Sequence, residues 1–347
     1  MPQKSKTDKK KSDASGFNKL KKDLSAGTPG QLYIFHGEET YLRDYYLGRL
    51  RDAVITGGLG EFNRHDIGAR DMSPHALEEA VDCLPMMAGR TFVQVTDFDL
   101  FKAGDREEYV RILSNLPDYC CLVFLYDVIE YKSDARTKLA AAIRDHGTAV
   151  NFVRQQETDL VGWIRRRFRA LDKEIDPRLC RELIELCGGL MQDLQQEIEK
   201  IGAYARGPAI TRADIDAVAT PQLSAGVFDI ADAIGRKDFD EAARVLGDLY
   251  RMQVKPQDII GAFGMQMRKL YSARLALDRG RDAGYVAELW GMQFPATRLM
   301  NSARRFSLPW CRRAVVRCAQ TGAALRSGAG APEELMTGLL LELATQV

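Results

Sequence analysis

The stretch Leu32-Tyr-Ile-Phe-His-Gly-Glu-Glu-Thr-Tyr-Leu-Arg-Asp44 stands where a nucleotide-binding protein carries its phosphate loop. A hydrophobic run, Leu32 to Phe35, reads as a buried strand; Gly37 turns the chain, and a helical pattern starts near Thr40. The chemistry available to such a strand–turn–helix is phosphate binding. It needs glycine backbone close to the anion, a Lys on the phosphates and a Ser or Thr hydroxyl on Mg²⁺. The corresponding positions hold Leu42, Arg43 and Asp44, and Glu38 and Glu39 add negative charge where an anion would dock. A nucleotide hydrolase also needs acids at a strand end to hold Mg²⁺ and orient water. The two buried strands end in single acids, Asp97 and Asp127, and lone acids after a strand are ordinarily turn or cap residues. The expectation is a nucleotide-binding type of scaffold that does not hydrolyse nucleotide, with no cofactor. No nucleophile-elbow Ser is present, and the four His (36, 65, 75, 146) lack metal-ligand spacing.

Two other stretches carry side chains of possible function. In Cys83-Leu-Pro-Met-Met-Ala-Gly-Arg90, Met86 and Met87 are adjacent on a short turn between a helix and a strand. Flexible thioethers suit a partner's hydrophobic pocket; spacing alone equally allows both to tuck under the sheet edge. Between Leu289 and Pro332 lie seven Arg and no acid. Arg304, Arg305, Arg312 and Arg313, with Trp310 nearby, are candidates for DNA phosphates. The alternative is solvated helix faces, or Arg paired with acids of neighbouring subunits.

The elements that must position these residues follow from periodicity. Strands are expected at 32–35, 62–67, 91–96, 121–126 and 148–152, with helices near 40–53, 74–84, 105–115 and 134–145. That alternation argues for a five-stranded parallel sheet with helices on both faces. After Phe152 only helical signals remain. Asp176-Pro177 caps one helix, Thr211 with Asp214 resembles a capping box, and Pro256 opens a long helix striped with Ile259, Phe263, Met267, Leu270 and Leu277. Residues 1–29, with eight Lys against three Asp, are expected to be a disordered basic tail. The expected organisation is an α/β domain at 30–153, a small helical module at 154–221 and a larger helical domain at 222–347.

At 347 residues and 46% hydrophobic content the chain can build two or three well-formed cores. No apolar run approaches the roughly 18 residues of a membrane span, and no apolar segment follows the first lysines as in a secretory signal. Seven Cys with no CxxC pair predict buried thiols in a reduced, cytoplasmic protein. The net charge of +1 hides a polarity: residues 30–150 carry 13 basic against 20 acidic side chains, and residues 211–347 carry 18 against 15.

The ordered set of motifs resembles the delta subunit of the bacterial DNA polymerase III clamp loader, over about residues 30–347. It consists of Tyr33 to Asp44, Leu84-Pro-Met-Met-Ala-Gly-Arg90, Leu160-Val-Gly-Trp-Ile164, Gly189 to Lys200, Ile210-Thr211, Val227 to Ile234, Phe306-Ser-Leu308 and Leu325-Arg-Ser-Gly328. The resemblance implies an AAA+-like fold: a RecA-type α/β domain whose phosphate loop is degenerate at Gly37, Leu42, Arg43 and Asp44, then a helical lid and a helical collar. It implies a heteropentamer with ATP-hydrolysing partner subunits and a delta-prime subunit, working on primed DNA and not on a membrane. It further implies that the chain binds the ring-shaped sliding clamp (beta) and opens one interface with a hydrophobic wedge. That wedge matches Met86 and Met87, with Leu84 beside them; the family commonly has larger or aromatic side chains there. An active ATPase of unusual phosphate loop and a DNA-binding replication adaptor are the alternatives.

Overall fold

The computed structural model describes residues 6–56, 60–292 and 296–344. The chain divides into two compact units, Met1–Arg154 and Gln155–Val347.

The first unit is built on five parallel strands: β1 (Leu32–His36), β2 (Arg64–Gly68), β3 (Thr91–Thr96), β4 (Cys120–Leu125) and β5 (Thr148–Asn151), in the order β2-β3-β4-β1-β5. Helices α1 (Lys6–Ala26), α2 (Thr40–Val54), α3 (Pro74–Asp82), α4 (Arg106–Ser114) and α5 (Lys138–His146) belong to the same unit. The fold class expected from the alternation of elements, a five-stranded parallel sheet with helices on both faces followed by an all-helical region, is the one observed. Successive strand residues point to opposite faces, so the interior strands β1, β3 and β4 feed two cores. Leu32 and Ile34 join Val93, Val95, Leu122 and Phe124 beneath α3, α4 and α5. Tyr33 and Phe35 join Phe92, Cys121, Val123 and Val150 beneath α2 and α1. All six residues of the interior strand β4 are buried, as a strand covered on both faces requires.

Two expectations are corrected. The tail expected to be disordered carries α1; residues 1–5 lie outside the described residues. Its lysines give the segment a polar look, but Phe17, Leu20 and Leu24 fall on one helical stripe that packs on the sheet. Leu20 is fully buried, and Phe17 meets Tyr46 and Phe152 edge-on at 5.0 and 5.7 Å. The Tyr33 hydroxyl donates to Asp23 at 3.0 Å. At Gly16 the helix backbone comes so close to β5 that a Cβ would stand 2.0 Å from the Ala149 carbonyl oxygen. The helix thus covers the edge strand β5, whose unpaired side would otherwise invite another strand. The second correction is Phe62: it does not begin β2 but lies with Asn63 in a 3₁₀ turn, Gly60–Asn63, and is exposed.

The elements of the second unit among its described residues are helices, beside one isolated bridge between Glu174 and Ala209: α6 (Glu157–Arg169), α7 (Pro177–Cys187), α8 (Met191–Tyr204), α9 (Arg212–Val218), α10 (Leu223–Gly235), α11 (Phe239–Arg251), α12 (Pro256–Asp278), α13 (Ala283–Leu289), α14 (Thr297–Ala303), α15 (Leu308–Ser327) and α16 (Pro332–Ala344). It holds both stretches read from the sequence as lid and collar. Asp176 caps α7 with Pro177 at its first position, and Thr211 and Asp214 form a reciprocal capping box on α9. The α12 stripe Ile259, Phe263, Met267 and Leu270 is core, packed with α10, α14 and α15. No helix of the described residues is long and apolar enough to cross a membrane. Six of the seven thiols are buried; burial pushes Cys120, Cys121, Cys187 and Cys318 up to about 12, which keeps them protonated and inert.

Leu20→Ala removes the best-buried apolar anchor of α1. It is expected to destabilise the first unit by about 2–4 kcal/mol in denaturant unfolding, whereas a disordered tail would tolerate it without change.

Candidate functional sites

Gly37 holds a backbone that other residues rarely adopt (φ 122°). A Cβ there would meet the Phe152 carbonyl oxygen at 2.5 Å and the Asn151 side chain at 2.6 Å. The glycine is therefore required by the closeness of the segment that follows β5. One turn later, Arg43 points inward and is almost wholly buried. Its guanidinium donates to Asp127 Oδ1 at 2.7 Å, to Asp44 Oδ1 at 3.0 Å and to the Tyr126 carbonyl at 3.4 Å. Asp127 follows β4, where an ATPase would present its Mg²⁺-holding acid. The cation of the loop and the acid of the strand end thus neutralise each other. Asp97, after β3, serves the same segment. In a left-handed conformation (φ 55°), it accepts the backbone N–H groups of Asp127, Val128 and Ile129 at 2.8, 2.9 and 3.2 Å. Glu38 pairs with Arg154 at 2.7 Å, and Glu39 is buried with its N–H donated to the Phe152 carbonyl at 2.9 Å. Among the described residues no cluster of three or more His, Cys, Asp or Glu could hold a metal ion.

The methionine loop has the opposite character. Helix α3 is capped by Ser73, whose Oγ accepts the Ala76 N–H at 3.1 Å, and the helix gives way to Leu84-Pro85. Leu84, Met86 and Met87 are all exposed, at 71%, 55% and 88% of their surface. The alternatives left open by spacing are resolved outward for both methionines. Their backbone is nonetheless pinned. Buried Asn63 accepts the Met86 N–H at 2.6 Å and donates to the Met86 carbonyl at 3.0 Å. Each such bond contributes roughly 0.5–1.5 kcal/mol net. Arg90 closes the far end of the loop on the Pro29, Gly30 and Cys120 carbonyls at 2.6, 2.9 and 3.0 Å. Met87 itself is left-handed (φ 52°), a conformation costing a non-glycine residue roughly 1–2 kcal/mol. Since the sheet is parallel, this loop, the turn carrying Asn63 and the Pro29–Gly30 approach all precede strands, at one end of the strands. Gly37, Asp97 and Asp127 follow strands, at the other end.

The Arg-rich end is less basic than its sequence. Arg305 pairs with Asp232 at 2.8 Å; Arg298 pairs with Asp229 at 2.7 Å and lies over the Phe228 ring; Arg317 pairs with Glu342. Arg304, Arg312 and Arg313 are exposed, and Arg312 and Arg313 line one groove with Arg317. Trp310 is no surface aromatic: it is buried, stacks on Phe306 at 4.1 Å and donates its indole N–H to the Leu343 carbonyl at 3.2 Å.

Asn63, the Arg43–Asp127 pair and the role of Asp97 were missed by sequence reasoning. Each joins residues at least 23 positions apart, and local pattern carries no trace of such a contact.

Comparison with known proteins adds an independent line. Residues 224–343 match the family model of the DNA polymerase III delta subunit, C-terminal domain. The chain is 22% identical to the DNA polymerase III subunit delta of Bacillus subtilis, over 93% of this chain and 95% of that one. It is also 22% identical to the probable DNA polymerase III subunit delta of Aquifex aeolicus, over 76% of each. Among solved structures, the Bacillus subtilis DNA clamp loader delta protein superposes with a TM-score of 0.64 at 20% identity, covering 95% of this chain and all of that one.

Asp127→Ala leaves a buried guanidinium with only exposed Asp44 as counter-charge. It is expected to destabilise the first unit by about 2–4 kcal/mol. Arg43→Ala should cost less, about 1–3 kcal/mol, because half-exposed Asp127 can rehydrate. Urea unfolding of the two variants checks that order.

Proposed function

We propose that this chain is a delta subunit of a bacterial DNA polymerase III clamp loader and, within it, the clamp-opening member. In this reading Met86 and Met87, with Leu84, bind the sliding clamp beside one subunit interface. A clamp surface that accepts them better once that interface is sprung is shifted toward the open ring. The shift can be no larger than the difference in affinity between the two forms. The observation that supports the reading most directly is the exposure of three large apolar side chains on a loop whose backbone is held by buried polar groups. Solvent-exposed apolar side chains on a pinned loop are an affinity device: the ordering cost is met in folding, so less is lost on binding.

The chain acts without nucleotide chemistry of its own. ATP turnover falls to partner subunits of a heteropentamer that includes delta-prime, and their nucleotide state governs whether the first unit reaches the clamp. The final helices hold the ring of subunits together, and exposed Arg304 and Arg312 are the side chains offered to primed DNA within it. The site of work is the cytoplasm, where the chromosome is copied. The Arg43–Asp127 pair weighs against the alternative of an active ATPase, because it would have to be broken before phosphate or Mg²⁺ could bind.

Replacing both Met86 and Met87 by Ala is expected to weaken clamp binding by about 2–4 kcal/mol, a drop of roughly 30- to 1000-fold, with the assembled loader intact on a sizing column. Equal affinity of wild type and double variant in a surface-binding titration overturns the assignment. The purified chain with Mg²⁺ and ATP is expected to show no phosphate release above buffer; turnover that disappears in Arg43→Ala would make the chain an ATPase.

A further inference from the structure

Asn63 stands out among the polar residues that the proposed function leaves unused. It is 1% exposed, at the end of a surface 3₁₀ turn, where an asparagine is ordinarily wet. Its amide acts as a backbone surrogate, taking both the N–H and the C=O of Met86 in a two-point clip across 23 residues of chain. The next residue, Met87, is the one held left-handed. A loop with a strained residue needs something to over-determine it, and the clip is placed to do so.

We infer that Asn63 is a positioning residue for partner binding: it holds the 84–90 loop in its binding-competent shape in the free chain, so that Met86 and Met87 are presented in advance. The inference rests on the assignment of those methionines as the clamp-contacting pair. Without the clip the competent shape is one of several, and the apparent dissociation constant rises by the inverse of its population. Asn63 does not touch the partner; it acts through Met86 and Met87.

The test uses the full chain, the isolated clamp ring and two Asn63 variants. Asn63→Ala removes both hydrogen bonds; Asn63→Asp keeps an acceptor for the Met86 N–H and loses the donor to its carbonyl. Asn63→Ala is expected to weaken clamp binding roughly tenfold, equivalent to about 1.4 kcal/mol, with Asn63→Asp in between. In a chain already carrying Met86→Ala and Met87→Ala, the same substitution should leave the residual affinity unchanged. A role confined to folding would not produce that dependence. Methionine-methyl NMR of the free chain gives a second readout, in which Asn63→Ala should sharpen the Met86 and Met87 signals and leave buried Met267 as it is. Wild-type clamp affinity in a folded Asn63→Ala chain overturns the inference, as does an equal loss in both backgrounds. If the methionine pair itself proves neutral, the clamp assignment fails first, and the NMR arm still decides whether Asn63 orders the loop.

Discussion

A buried guanidinium joins the two places where a nucleotide-driven domain would have to stay open. Arg43, from the start of α2, reaches Asp127 beyond the end of β4 and bonds the Tyr126 carbonyl on the way. In a phosphate-loop enzyme the equivalent cation and acid face a ligand and its Mg²⁺, and the domain's shape answers to what is bound. Here they satisfy each other. The pair stabilises only moderately, since Asp127 is half exposed and part of the Coulomb gain is offset by the desolvation of Arg43. Its consequence is structural: the ends of β1 and β4 are tied by side chains of the chain itself. Asp97 reinforces this by holding three consecutive backbone N–H groups of the segment that presents Asp127.

The other end of the strands is held by a separate set of bonds. The methionine loop, the Asn63 turn and the approach to β1 lie together there, and the bonds among them run from side chains to backbone. Arg90 commits its guanidinium to three carbonyls, and Asn63 takes both polar groups of Met86. Such bonds fix where the chain runs and leave the apolar side chains uncommitted. The same sequence could have turned Met86 and Met87 inward beneath the sheet edge. In the structure that face is filled by Leu77, Val81 and Val93 instead.

The elements that could be read from sequence are those whose signal is local. Strands buried on both faces, Ser73, Asp176 and Thr211 at helix starts, and the α12 stripe all announce themselves within a few residues. Sequence reading failed where a distant contact decides. The lysines of α1 mask a three-residue apolar stripe whose purpose is visible only when β5 proves to be an edge strand. Phe62 looks like the first residue of a strand, yet the chain turns there because Asn63 is drawn into the loop 23 residues on. Arg43 was legible as a lost phosphate lysine, but the partner that replaces the phosphate was not. Exposure of Met86 and Met87 was undecidable from spacing because both outcomes satisfy the same pattern.

The second unit makes a related point about charge. Seven arginines without an acid between Leu289 and Pro332 suggest a strong positive field. Three of them, Arg298, Arg305 and Arg317, are matched by Asp229, Asp232 and Glu342, acids that lie outside that stretch. A linear count over-weights a patch whenever its counter-charges arrive from other helices. Phosphate attraction depends on the charges left unneutralised near the surface, and salt screens them beyond roughly 10 Å. Of the seven, Arg304 and Arg312 are exposed and stand outside those three pairs.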